Sequence, residues 1–453
     1  MSENRFSLRD NIAIIAVLLV LVMTVLDGSI VNVALPLMCA DFGISESASV
    51  WIVTIYQLVI TMFLLPLSAI GEKYGFKRVF LVGVVLFTVA SFGCSEMGSF
   101  EGVLIARGLQ GCGAACVMAV NIALTRIIYK PEVLARGLAL NAMVVAVSTA
   151  AGPTLAGAIM DSLSWHWLFL INVPVGILTF VLAIKLLPRR TDEHHKSPFD
   201  IFSAFLNAVT FGLIFYALGS FTHGGGWMAV GLLLCGIVSG LVYLRRQKGK
   251  TSPMFPIDLF RHRIYTLSVA TSVSAFVALN SAMVDLPFMF LSDFGFEAVT
   301  TGLLMTPWPL STMLAAPLAA RIIEKHNPGT VAAVGMGMLA LGLSLLIFLP
   351  ENPSEWNIVW RMVLCGFGFG LFQTPNNLVM VKSTPERRTG AAGGMQSTAR
   401  LIGQTFGATL VTLMFALVAD SRAAERSVLM LGVFFAVGSA IFSLSRLAVG
   451  KHR

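Results

Sequence analysis

The chain is poor in charge. Asp, Glu, Lys and Arg make up 12% of its 453 residues, against about 25% in soluble domains, and mean hydropathy is +0.83. That excludes a large soluble core and implies a polytopic helical membrane protein. The short alternating segments of a β-barrel are missing too. So are the parts of an enzyme: there is no Walker loop, GxSxG, HExxH or paired-carboxylate catalytic loop. ATP therefore does not drive the protein directly. GCGAA and GFGFG lie inside apolar runs, where they read as helix-packing glycines and not nucleotide loops. The six cysteines (Cys39, Cys94, Cys112, Cys116, Cys235 and Cys365) form no CxxC pair and no zinc-spaced cluster, so no metal or cofactor is expected. Cys39 and Cys94, near one membrane face, are the one pair left open for a disulfide. Net charge is +8, but no basic helix or aromatic-interleaved patch tracks a phosphate backbone, so no nucleic-acid partner is expected.

Long apolar runs are what the chain has instead. The first, Ile12 to Leu37, is too long for a signal-peptide core and reads as a span that stays in the protein. Others follow near 48–70, 79–97, 101–125, 135–160, 166–187, 199–221, 228–244, 264–292, 299–320, 330–349, 357–381, 391–419 and 427–447. Each is long enough, or nearly so, for a bilayer that needs about 20 residues. The expected fold is all-α with fourteen transmembrane helices.

The connectors separate by charge. One set carries Arg5, Arg9, Lys73, Lys77, Arg78, Arg126 and Lys130, then Arg189, Arg190, Arg245, Arg246 and Lys250, then Arg321, Lys325, Lys382, Arg387 and Arg388. The other carries Asp41, Glu46, Glu101, Asp161, Asp293, Glu297, Glu351 and Glu355, with Arg422 and Arg426 as its only bases. The positive-inside rule makes the first set cytoplasmic. Both termini are then inside an inner or plasma membrane, which an even number of spans requires.

The chain also repeats itself. Ile70-Gly-Glu-Lys after span two returns as Ile322-Ile-Glu-Lys after span ten; Arg107 returns as Arg361 and Asn121 as Asn376, at offsets of 252, 254 and 255 residues. Two six-span bundles related by pseudo-symmetry are implied. The expected division is 1–190 and 264–453 for the bundles. Residues 191–263 form a two-helix insertion that matches neither.

LDGSIVNVALP from Leu26, RGLQGCGAA from Arg107, SxxAGPTLAG from Ser148 to Gly157, SWHWLFLINVPVG from Ser164, TGLLMTPWPL and ERRTGAAGG together resemble the major facilitator superfamily, and within it the fourteen-helix drug:proton antiporter branch. The resemblance covers nearly the whole chain. It implies alternating access between two six-helix bundles, with export of a small molecule coupled to proton entry. Two motifs depart from the family pattern. Ser68 and Glu72 stand where Gly and Asp are usual, and the fifth-helix antiporter motif has Ser148 and Ala156.

Several residues then stand out. Asp27 lies within the first apolar run, where a charge costs on the order of 2.5–3.5 kcal/mol on insertion scales. It is the leading proton site, with a structural ion pair as the competing reading. Arg107 falls at a similar depth in span four and suits either role, as proton-path residue or fixed counter-charge. Asp285, followed by Pro287 in span nine, is the only other acid well inside a run. It reads as a second proton or substrate site, or as a solvated residue near the interface. Substrate-cavity candidates are the amides Asn32, Gln57, Asn121, Asn141, Gln373 and Asn376 with the aromatics Tyr56, Trp308 and Phe372, each also able to serve packing alone. By resemblance, Glu72, Lys73, Gly75, Lys77 and Arg78 form a latch loop. Ser148, Gly152, Pro153 and Gly157 form the antiporter motif, a small-residue face on which helices can approach.

The expected function is a proton-coupled multidrug efflux antiporter, acting as a monomer in the lipid bilayer on small amphipathic molecules. Asp27 and Asp285 favour cations; Arg107, Arg361 and Arg400 leave room for neutral or anionic cargo. The alternatives are a transporter of one endogenous metabolite and, from another class, a membrane sensor that moves nothing.

Overall fold

The structure is a computed structural model that describes residues 8–129, 134–187, 200–220, 226–250, 255, 257–383 and 389–450. Fourteen long helices run through them: α1 (Leu8–Phe42), α2 (Glu46–Tyr74), α3 (Phe76–Glu96), α4 (Phe100–Ile128), α5 (Leu134–Ser162), α6 (His166–Leu186) and α7 (Ile201–Ser220), then α8 (Gly226–Gln247), α9 (Arg263–Asp293), α10 (Ala298–Ile322), α11 (Pro328–Ile347), α12 (Glu355–Lys382), α13 (Thr389–Leu417) and α14 (Ser421–Gly450). Thirteen are long and apolar enough to cross a membrane. The exception, α12, has 28 residues but carries Arg361, Gln373, Asn376 and Asn377, which lower its hydropathy; it packs along α10 and α11. All six cysteines are free thiols, so Cys39 and Cys94 form no disulfide.

Helix ends are set by short polar residues that satisfy orphan backbone N–H groups. Ser99 Oγ accepts from the Gly102 amide at 3.3 Å, and Asn327 Oδ1 from Gly329 at 2.8 Å. Asp420 Oδ2 accepts from Ala423 at 2.8 Å, which starts α14 six residues before the apolar run at 427 and draws Glu425 into the helix.

The helices pack as two groups, α1–α6 and α9–α14. We call the face where α1 begins the basic face and the other the acidic face, after their connectors. The groups meet along α5 with α10, α2 with α13, and α1 with α9. On the acidic side one hydrophobic cluster draws from both: Leu35, Met38 and Phe169 from the first group, Val284, Phe288 and Val411 from the second. At Gly157 of α5 a Cβ would stand 2.8 Å from the Ala298 carbonyl oxygen of α10; a Cβ on Gly302 would overlap the Pro153 carbonyl.

α7 and α8 pair with each other, and α7 also lies against α2 and α13. Asn207 Nδ2 donates to the Met62 carbonyl at 2.8 Å. The hairpin is tied at its basic end by Asp200, whose Oδ1 caps Ser203 N at 3.0 Å and whose carboxylate pairs with Lys250 and, at 3.6 Å, with Arg246. Partial burial would raise the Asp200 carboxyl, but hydrogen bonds from Lys250 and Ser203 and the Lys250 charge outweigh it and hold the group well below the usual carboxylate range.

Two outcomes follow. A carboxyl held low when folded stabilises above its unfolded value of about 4 and stops doing so as pH falls through the folded value. Asp200→Asn should therefore loosen the α7–α8 hairpin at neutral pH, and hydrogen exchange of the first-turn amides of α7 should quicken. The difference from wild type should vanish in strong acid. Gly157→Leu should prise α5 from α10, and spin labels at Asp161 and Glu297 should move apart. Unchanged distances would mean that the seam accommodates the side chain.

Candidate functional site

The first-helix acid sits in the most polar core of the structure. Asp27 is 1% exposed and Arg107 0%. Arg107 Nη1 donates to Asp27 Oδ2 at 2.5 Å and to Gln110 Oε1 at 2.5 Å; Nε donates to the Ile52 carbonyl at 3.1 Å. Gln110 Nε2 donates to Asp27 Oδ1 at 2.8 Å and to Ser91 Oγ at 2.9 Å, and Asn172 Nδ2 reaches Oδ1 at 3.3 Å. The guanidinium also stacks over the Tyr56 ring, 4.2 Å from its centroid, a favourable cation–π contact. Five helices, α1, α2, α3, α4 and α6, thus meet on one ion pair. Gln110 and Asn172 were not singled out in the sequence. Gln110 follows Arg107 by three residues, which puts both on one helix face.

Between the two groups lies a cavity of about 670 Å³, within the size range of small-molecule sites. Of the sequence candidates, Asn32, Tyr56, Gln57, Trp308 and Gln373 line it, while Asn121, Asn141, Asp285, Phe372 and Asn376 do not. On α12 the reason is helical register. Phe369, Gln373 and Asn377, four residues apart, face the cavity. Phe372 is 1% exposed and packs on Phe369 with ring centroids 5.6 Å apart, and Asn376 Oδ1 instead accepts from Arg446 Nη1 at 2.8 Å. Asn141 Nδ2 donates to Asn121 Oδ1 at 2.9 Å, tying α5 to α4. Asp27 turns away from the cavity; its neighbours Gly28 and Ser29 line it.

Polar contacts cross from one group to the other around this space. Gln57 Nε2 donates to Asn280 Oδ1 at 3.3 Å and the Thr61 and Thr405 hydroxyls lie 3.2 Å apart; within the second group, Asn280 Nδ2 also donates to the Gln404 carbonyl at 2.8 Å. Thr154 bonds Thr306. In the antiporter motif, Ser148 is 4% exposed. A Cβ on Gly152 would meet Ser29 of α1, while Pro153 and Gly157 face α10. The motif therefore lies where its own bundle meets the other.

A second acidic group occupies the acidic side of that seam. Asp285 is 0% exposed, and neither carboxyl oxygen has a hydrogen-bond partner. Glu425 of α14, 1% exposed, is its neighbour and lies within hydrogen-bonding reach of Asp293. Asp293 pairs with Arg422 at 3.4 Å. From the other bundle Glu46 accepts from Ser421 Oγ at 3.3 Å and faces Asp285. The sequence reading passed over Glu425 because two arginines flank it and the apolar run begins only after it.

In the latch loop, Gly75 has φ +100°, a backbone glycine favours. Lys77 Nζ donates to the Ile184 and Leu187 carbonyls of α6 at 2.9 and 2.6 Å, and Lys73 lies over the Tyr74 ring at 5.2 Å. Glu72 and Arg78 are exposed. These contacts all stay within the first bundle. Among the described residues no group of three or more His, Cys, Asp or Glu has metal-binding geometry.

The sequence matches the model of the Major Facilitator Superfamily over residues 17–408. It is 45% identical over 403 residues to the uncharacterized transporter YebQ of Escherichia coli K12, covering 89% of this chain and 88% of that one. It is 32% identical to the multidrug resistance protein Stp of Mycobacterium tuberculosis, covering 87% and 74%. It is 29% identical to the riboflavin transporter RibZ of Clostridioides difficile, covering 89% and 88%. In fold it is similar to a peptide-bound POT family transporter, at TM-score 0.73 and 14% identity over 97% of this chain and 96% of that one. With a family model matching most of its length, fourteen helices in two packed groups and a cavity between them, this chain belongs to the Major Facilitator Superfamily.

Proposed function

We propose that the protein is a proton-driven exporter of small amphipathic molecules that works by alternating access. Residues 1–190 and 264–453 are the two bodies that rock, with 191–263 inserted between them. The basic face is cytoplasmic, and the membrane is the inner or plasma membrane. The observation that carries this reading is the central cavity, roofed on the acidic side by a seam that holds buried acids without a counter-ion. The cavity has the size and apolar wall of a drug site. The relatives named for multidrug resistance favour efflux. The relative named for riboflavin transport supports a second reading, in which the cargo is one specific metabolite.

Two acid groups divide the labour of coupling. Asp27 accepts from Arg107, Gln110 and Asn172 and is the salt-bridge partner of Arg107. Asp285 has no donor at either oxygen, and an unpaired buried carboxylate is costly; Asp285 and Glu425 carry protons while the seam is shut. Opening the acidic face releases the seam to water and lets the protons exchange. One proton falling through 100 mV supplies about 2.3 kcal/mol, enough with one or two protons to sustain a useful gradient.

Proteoliposomes with an internal pH-sensitive dye and a panel of substrates test the reading. Substrate-stimulated proton movement should be present in wild type and lost in Asp285→Asn and Glu425→Gln, which keep size and insertion. Asp27→Asn should also lose it while remaining folded, because an amide still accepts from Gln110. Coupling retained in Asp27→Asn would leave that residue a purely structural role. Asp27→Ala is expected to lower stability by about 3–5 kcal/mol, the cost of stranding Arg107, read as a fall in the detergent melting temperature. Vesicles with no flux under any imposed gradient would overturn the export reading.

A further inference from the structure

Among the described residues, the wall of the central cavity contains no carboxylate. Its single charged side chain is Arg400 of α13. The buried arginines elsewhere each have polar partners, although Nη2 of Arg107 is itself left without one. Arg107 pairs with Asp27. Arg446 donates to Asn376 and Ser268, and Arg361 to Asn357 and the Leu345 carbonyl. Arg400 makes no hydrogen bond and no ion pair, and its Nε is buried without an acceptor. A second donor on the same wall, Trp308 Nε1, is likewise buried and unpaired. The negative charge nearest the cavity in sequence is spoken for: Asp27 is locked behind the wall by Arg107, and Asp285 lies outside the lining.

Leaving a guanidinium unpaired in a largely apolar chamber costs several kcal/mol. Its planar fork matches carboxylate, phosphate and sulfonate oxygens. Arg400 lies about 16 Å along α13 from its basic-face end, so a molecule entering from that side reaches it from below. Beyond it the wall is aromatic and thioether, with Phe276, Phe369, Trp308, Met283 and Met305, a surface that holds flat apolar bodies of varied shape.

We propose that Arg400 is the anchor for a negative charge on the cargo, and that the transported class is amphipathic organic monoanions: an apolar or aromatic body carrying one carboxylate, phosphate ester or sulfonate. This rests on the export reading and replaces its leaning toward cations. It also fixes the electrical sign of the cycle. Exporting one monoanion against one entering proton moves two positive charges inward; a neutral cargo moves one, and a monocation none.

The test uses the full-length protein and three probes of one skeleton: 2-naphthoate, its neutral methyl ester and 2-naphthylmethylamine, with naphthyl phosphate and naphthalene sulfonate as further anions. Binding is read by tryptophan quenching on detergent-purified protein, and charge movement by currents from proteoliposomes on a solid-supported membrane. The anions should bind best. Arg400→Gln should weaken them by about ten- to hundredfold, as loss of a charge-assisted hydrogen bond implies, and leave the ester unchanged. Arg400→Lys should retain part of the anion binding. Wild-type currents should be larger for an anion than for the ester at equal flux, a readout that does not depend on either variant folding. The proposal is overturned if the amine binds best, if Arg400→Gln leaves anion affinity unaltered, or if none of the anions binds at millimolar concentration. Arg400-dependent anion binding without flux would leave the anchor standing and refute export, so the two failures are distinguishable.

Discussion

A carboxylate and a guanidinium that cannot leave one another organise the first half of this protein. Asp27 and Arg107 are both sealed from solvent. Removing either would strand the other in a medium where an isolated charge costs several kcal/mol. Every helix that touches the pair is held to it by a hydrogen bond or a ring face: Gln110 on Arg107's own helix, Asn172 from α6, the Ile52 carbonyl and Tyr56 from α2, and Ser91 through Gln110. Under the proposed function, a bundle pinned at its polar centre moves as a body. Its freedom then lies at the surface it presents to the other bundle, where the contacts are glycines against carbonyls and amides against amides.

That surface is asymmetric between the two membrane faces. On the acidic side, side chains from both bundles merge into one hydrophobic cluster, and α5 meets α10 at backbone distance through Gly157 and Gly302. Further toward the basic side the bundles part around the cavity, whose wall includes Met118, Met143, Pro317 and Asn377. Where α5 meets α10, small residues bring the backbones close with little side-chain area between them. The buried acids within it add a chemical condition to a mechanical one. A closed seam that includes Asp285 and Glu425 from one bundle and Glu46 from the other would bring like charges together if all were ionised; among the described residues Arg422 on Asp293 is the one salt bridge there.

Much of the architecture was legible in the sequence because bilayer physics leaves little choice. Apolar runs of span length are a consequence of hydrocarbon thickness, and the helices fall where those runs do. Asp27 announced itself because an acid at that depth is costly. Rotation about each helix axis was not legible. Asn121, Phe372 and Asn376 have the same composition signal as Gln57, Trp308 and Gln373, yet face their own bundle's core. A turn of about 100° per residue decides between wall and interior, and hydropathy does not record it when every face of a helix is buried. Glu425 was missed for a related reason: the helix begins at an Asp420 cap, well before its apolar stretch, so the acid looked like a loop residue.

The distribution of charge bears on how coupling works under the proposed function. The salt-bridged pair lies behind the cavity wall, the unpaired acids lie in the seam, and the unpaired base lies on the wall itself. A transporter whose proton and cargo compete for one carboxylate needs that carboxylate in the chamber, and among the described residues this chamber has none. Under the proposed function, coupling then passes through the seam. Protonation permits closure on the acidic side, closure exposes Arg400 to the basic side, and cargo binding there neutralises the charge that opposes passage of the cavity across the barrier. Proton and cargo act on opposite steps of the same rocking motion, so each can be chemically unlike the other, and the cargo can carry a charge that a buried acid would repel.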